Sequence, residues 1–186
     1  MIALQTSPPP WPRLKSERGP HVPLFGVRLD SLENPRTGEV LQRLVLETPD
    51  WVNVVAITHE NRVVMVRQFR FGISKITTEI PGGIVDPGET SGEAARRELL
   101  EETGYISEEW VYLGAVEANP AIQNNLCHHW LARGVVENGE IDLGDGEDIV
   151  VLEMTLDEIK AEIREGRLLH SLALSALARV FDLWKD

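Results

Sequence analysis

The stretch Gly83-Ile-Val-Asp-Pro-Gly-Glu-Thr-Ser-Gly-Glu-Ala-Ala-Arg-Arg-Glu-Leu-Leu-Glu-Glu-Thr-Gly-Tyr105 holds the most information in this sequence. Thr90-Ser-Gly-Glu93 fits a capping box, in which each end satisfies an orphaned backbone N–H of the other, so a helix is predicted to start there. Gly104 is a natural C-terminal stop. Between them Ala95 and Leu99, four residues apart, give the helix an apolar side to bury. Glu98, Glu101 and Glu102 stand at i, i+3 and i+4, so three carboxylates project from one face within a single turn. Each exposed like-charged pair costs roughly 0.2–0.5 kcal/mol, and more once desolvated. Arg97 can pair with Glu101, yet one arginine is too little for three glutamates with Glu89 just upstream. A divalent cation would restore the balance. All-oxygen donors suit Mg²⁺, Mn²⁺ and Ca²⁺, and the absence of His and Cys from the stretch argues against zinc. A Glu- and Arg-rich helix face is more often plain solvated surface. The lead-in weighs against that here: Pro81-Gly82-Gly83 lets backbone approach closely, and Asp86-Pro87-Gly88 adds a second turn before the cap.

Outward from this helix the chain reads mostly as strands. Upstream, Leu24 to Leu29 and Leu41 to Leu46 alternate apolar and polar around the turn Asn34-Pro-Arg-Thr-Gly38, a predicted hairpin. Val52 to Ile57 and Val63 to Val66 are β-branched runs split by His59-Glu-Asn61, and Thr77 to Ile80 is a short strand. Downstream, strands are predicted near Trp110 to Val116, Cys127 to Val136 and Ile149 to Met154. Thr155-Leu-Asp-Glu158 opens a second capped helix to about Arg164, and Leu174, Leu177, Phe181 and Trp184 space one face of a terminal helix. Many strands with few helices give an α/β (α+β) class, a mixed sheet between helices. Pro8, Pro9, Pro10, Pro12 and Pro20 make the start an extended lead, so residues 1–45 are read as a proline-rich lead and β-hairpin arm and 46–186 as the main domain.

With 186 residues the chain is long enough for one domain with a real core. Its 18 Lys and Arg against 30 Asp and Glu leave a charge of -12, which disfavours a nucleic-acid binder. An acidic protein that handles phosphates needs bridging cations. The single cysteine, Cys127, excludes an internal disulfide and fits a reducing compartment. No signal-peptide or membrane-length apolar run is seen, so a cytoplasmic protein with no membrane partner is expected.

Gly83, five residues, Glu89, seven residues, then Arg97-Glu-Leu-Leu-Glu-Glu-Thr-Gly-Tyr105 resembles the Nudix box, with every fixed position filled; Tyr105 stands where an aliphatic residue is common. The resemblance implies a Nudix-type α/β/α sandwich with a mixed β-sheet and an N-terminal β arm. It implies metal-dependent hydrolysis of a nucleoside diphosphate linked to another moiety, with Mg²⁺ as cofactor and Mn²⁺ as a substitute. Carried over residue by residue, Glu98, Glu101 and Glu102 would be metal ligands, joined by the carbonyl of Gly82. Arg97 would orient the glutamates, with Glu101 beside it in the catalytic group, and Glu89 would brace the helix from its loop.

Three further features resemble the ADP-ribose pyrophosphatase branch of that family. Pro120 lies fifteen residues beyond Tyr105. Val66-Arg-Gln-Phe-Arg70 is followed by Glu79-Ile-Pro-Gly-Gly83, and in that branch the second arginine, here Arg70, reaches the substrate diphosphate; Arg67 is the companion candidate. A guanidinium suits this work because it grips phosphate through two N–H groups. Gly144-Asp-Gly-Glu147-Asp148 precedes a strand, like the acidic loop that supplies a carboxylate near the attacked phosphorus. Glu147 fits that role best and Glu140 is the reserve. Trp51 is expected either to stack on a nucleobase or to cap its strand. The implied substrate is a nucleoside diphosphate sugar, ADP-ribose first, giving AMP and ribose 5-phosphate; GDP-mannose or another nucleotide is the alternative, and a non-catalytic nucleotide-sugar sensor is the last. The arm in this branch packs across a homodimer, so a homodimer is expected.

Overall fold

A computed structural model describes residues 25–33, 40–139, 141–143 and 148–185. The β-branched runs become strands and the two capping boxes become helix starts. In chain order the elements are β1 (Gly26–Glu33), β2 (Val40–Glu47), β3 (Trp51–Thr58), β4 (Val63–Arg70), β5 (Lys75–Glu79), α1 (Ser91–Thr103), β6 (Tyr105–Ile106), β7 (Glu109–Glu117), β8 (Leu126–Glu137), β9 (Ile149–Met154), α2 (Leu156–Arg164) and α3 (Ser171–Leu177). β1 and β2 pair with each other, antiparallel, as a two-stranded sheet, and Leu46 of β2 makes one isolated parallel bridge to Gln123. The other seven strands form one mixed sheet. Its central pair, β3 and β8, is parallel, and every other pairing is antiparallel.

Alternation along the central strands sends successive side chains to opposite faces, and each face is roofed by helices. Val52, Val54, Ala56 and Val64 pack under Ala94, Ala95 and Leu99 of α1. Val55, Met65 and Leu131 pack under Ile159 of α2 and Ala173, Ala176 and Leu177 of α3. The result is the three-layer α/β/α sandwich expected from the sequence. Met65 and Met154 lie in this core, and Cys127 is buried with its thiol pushed up to about 12, first by burial and then by Asp50. Among the described residues no helix is long and apolar enough to cross a membrane.

Both predicted caps form. Thr90 and Glu93 exchange hydrogen bonds at the start of α1, and Gly104 closes it in the left-handed region at φ 74°. Thr155 and Glu158 repeat the device at α2. The terminal helix is shorter than its apolar spacing suggested. After Leu177 the backbone tightens, with Arg179 and Val180 N–H bonding three residues back instead of four. That rotation buries Leu183 and leaves Trp184 74% exposed.

Candidate active site

The site is built where the loop after β5 lies along the start of β3. Val54 N–H donates to Pro81 O at 2.8 Å, Val52 N–H to Gly83 O at 2.9 Å, and Val85 N–H to Asp50 O at 2.9 Å. Residues 81–85 therefore run beside β3 almost as another strand, pressed close to the sheet. Glycine is required by this approach. A Cβ on Gly82 would overlap the Val52 carbonyl and the Asn53 amide, and one on Gly83 would enter the carboxylate of Glu98.

α1 delivers its carboxylates onto this backbone. Glu102 is buried and accepts the Gly82 N–H at 2.9 Å. Arg97 gathers the others. Its Nη1 donates to Glu98 at 2.8 Å and to Glu101 at 3.1 Å. Its Nε and Nη2 grip both oxygens of Glu89 at 3.0 and 2.9 Å, and Nη2 also donates to Ile84 O. The hydrogen bond to Glu89, and those to Glu98 and Glu101, raise the Arg97 pKa against the opposing effect of burial. The same hydrogen bond holds Glu89 below the usual carboxylate range. One guanidinium thus ties the helix face to the loop in front of it.

Among the described residues no three His, Cys, Asp or Glu side chains form a ready cation cage. The donor set nonetheless fits a hard cation. Its donors are carboxylate oxygens, and Glu98 and Glu101 already converge on one positively charged nitrogen.

Beside Gly82 and Gly83 opens a cavity of about 310 Å³ whose wall includes Trp51, Asn53, Arg70 and His170. Arg70 is fixed by a two-pronged bond to Glu79, 2.8 and 2.6 Å long. Glu79 is almost fully buried, which acts to raise its pKa. Arg70, His170 and Thr77 outweigh burial and keep it below the usual range. A separate cavity of about 370 Å³, near His59, Ser107 and Arg133, contains none of these groups.

The structure therefore brings Trp51, Arg70 and Gly82 to one cavity and sets Glu98, Glu102 and Arg97 against the residues of its rim, with Glu101 held behind them by Arg97. It does not bring Arg67 there. Arg67 and Arg70 are three apart on β4, so they leave opposite faces, and Arg67 is tied to Thr78 and to Glu162 of α2 at 3.1 Å each. Pro120 sits on an exposed turn after β7, where Ile122 and Gln123 N–H bond back to Asn119 O, and it is not among the cavity residues. Glu140 and Glu147 lie outside the described residues. In the sequence reading Glu79 enters only as part of a motif, with no role of its own, and His170 is passed over. Glu79 could have been suspected as an acidic residue closing β5 just before Pro81-Gly82-Gly83; His170, in a leucine-rich turn ninety-one residues later, carried no local signal.

A model of the NUDIX domain family matches residues 48–172. The chain is 34% identical over 152 residues to a methanol dehydrogenase activator of Bacillus methanolicus, covering 81% of this chain and 82% of that protein. It is 32% identical over 131 residues to an ADP-ribose pyrophosphatase of Bacillus subtilis (strain 168), covering 70% of each. A crystal structure of an ADP compounds hydrolase superposes with a TM-score of 0.74 over 90% of each chain at 23% identity, which shows the shared fold.

Proposed function

This chain belongs to the NUDIX family and is a Nudix hydrolase, and on that premise we propose that it splits the diphosphate of nucleoside diphosphate sugars. ADP-ribose is the first substrate, giving AMP and ribose 5-phosphate. The observation that carries this reading is one juxtaposition: the α1 carboxylates abut the Gly82–Gly83 backbone at the rim of a cavity that also holds a clamped guanidinium and an indole. Glu98, Glu101 and Glu102, with Gly82, would hold Mg²⁺ or Mn²⁺. Such a cation neutralises charge developing on phosphate and acidifies water. Arg97 and Glu89 hold the glutamates in place, as groups behind metal ligands do. Arg70 meets the diphosphate, with Glu79 fixing its orientation. Trp51 offers an aromatic face for stacking. Glu147, with Glu140 in reserve, is the carboxylate that takes a proton from, or positions, the attacking water.

The similarity to an ADP-ribose pyrophosphatase supports ADP-ribose over GDP-mannose. The similarity to a methanol dehydrogenase activator favours a second reading, in which the chain stimulates an alcohol dehydrogenase. The direct test is phosphomonoester release from a panel of nucleotide sugars with Mg²⁺, with chelator, and with Mg²⁺ restored. Release that follows the metal and is fastest on ADP-ribose supports the proposal; no release from any panel member ends it. Adding the chain to methanol dehydrogenase and finding an unchanged rate removes the second reading. Residues 1–45 are proposed as an arm that joins two copies into a homodimer, and the site as one that works in the cytoplasm.

A further inference from the structure

His170, on the cavity wall, has no part in the proposed reaction. His170 immediately precedes α3, and its Nδ1 lies 3.3 Å from Glu79 Oε2, the oxygen that also accepts from Arg70 Nη2. That Nδ1 is buried, and no hydrogen bond in the structure satisfies it. A lone pair turned toward a carboxylate would be repelled, so the neutral ring places its proton on Nδ1, facing Glu79. The other nitrogen, Nε2, then carries the lone pair. The side chain is about one-third exposed and borders the cavity, so its accessible edge is the one away from Glu79. Burial first, then Arg70, hold the imidazole below its ordinary range against the opposing pull of Glu79, which keeps the ring uncharged near neutrality.

One buried carboxylate therefore faces two groups side by side, gripping Arg70 and standing 3.3 Å from the His170 ring. Arg70 offers N–H donors to phosphate oxygens, which have no proton to give. A neutral ring with its lone pair toward the cavity offers nothing to those oxygens and accepts from an O–H instead. Building on the nucleoside diphosphate sugar reading, we propose that His170 is a substrate-binding residue that accepts a hydrogen bond from a hydroxyl of the sugar next to the diphosphate.

The test is steady-state kinetics of the full chain with Mg²⁺ on two substrates. One is ADP-ribose; the other is ADP esterified to a simple alkanol, which keeps the diphosphate and lacks sugar hydroxyls at that end. Wild type is compared with His170→Leu, His170→Ala and His170→Gln. The expected result is a rise in KM for ADP-ribose in the Leu and Ala variants that exceeds the change on the alkyl ester by roughly three- to tenfold, the span of one neutral hydrogen bond. His170→Gln, which retains an acceptor, recovers part of it. Equal changes on both substrates, or none, overturn the assignment. Should the Leu variant fail to fold, the Ala variant carries the comparison without added apolar bulk. A wild-type chain that hydrolyses neither compound overturns the substrate reading itself, before His170 is considered.

Discussion

Arg97 concentrates more of the site's organisation than any other described side chain. It donates to Glu89, Glu98, Glu101 and the Ile84 carbonyl, so it joins the helix to its leading loop. A lysine would keep the charge and lose the planar fork. Arg97→Lys is expected to lower turnover roughly 10–100-fold with circular dichroism unchanged, the range for a group that positions metal ligands. Wild-type kinetics in that variant would remove Arg97 from the mechanism. His129 makes a second residue-scale prediction. It is fully buried, neither ring nitrogen has a partner, and burial, then Arg179 and His128, lower its pKa to about 4. The unfolded chain takes up that proton near pH 6.5 and the folded chain does not. Stability from this source is therefore complete above about pH 6.5 and drains away as pH falls toward 4, by something on the order of 3 kcal/mol. Thermal melts across that range should show a steep slope in wild type and a shallower one in His129→Met. Parallel slopes would refute it.

At the scale of elements, the loop after β5 and helix α1 act as one unit. The loop is pinned to β3 by backbone hydrogen bonds, and Glu102 reaches across to Gly82 N–H. Gly82 has no space for a side chain, and the obstructing atom is the Val52 carbonyl, which cannot swing away. Gly82→Ala is expected to cost about 1–3 kcal/mol and to displace the carboxylates. The denaturant midpoint should fall, and activity should fall further than lost folded population explains. The cap of α1 is a separate quantity. Thr90→Ala removes one side of an intact capping box and should cost about 1 kcal/mol while leaving the carboxylate geometry alone. A loss of activity larger than its loss of stability would show that the cap also sets the site.

At the scale of the whole molecule, the β1–β2 hairpin has no strand partner in the main sheet. The pairing register sets Leu29 opposite Leu44 and Val27 opposite Leu46, so one face of the ribbon is apolar. Leu29 is 62% exposed and Val27 54%. A two-stranded ribbon with an uncovered apolar face gains stability only by packing on something. The expected partner is a second copy of the chain. Light scattering should report twice the chain mass, and Leu29→Lys with Leu44→Lys should reduce it to one. A monomeric wild type would remove the arm from the proposal and leave the chemistry standing.

What the sequence determined alone was local. Thr90-Ser-Gly-Glu93 and Gly104 fixed the ends of α1, because caps are satisfied within a few residues. The i, i+3, i+4 glutamates shared a face because the helical period requires it. Alternation placed most strands for the same reason. What only tertiary structure decided was which distant groups meet. Arg67 and Arg70 look alike in sequence, and the pleat of β4 sends one to Glu162 and the other to the cavity. Glu79 and His170, ninety-one residues apart, become neighbours only because the chain entering α3 returns beside β5. The last turns of the chain depart from a regular helix, burying Leu183 and exposing Trp184, a choice made by packing rather than by periodicity. Short-range hydrogen bonding and side-chain period are written in neighbouring residues; the meeting of far segments is set by how the sheet twists and which face each helix covers.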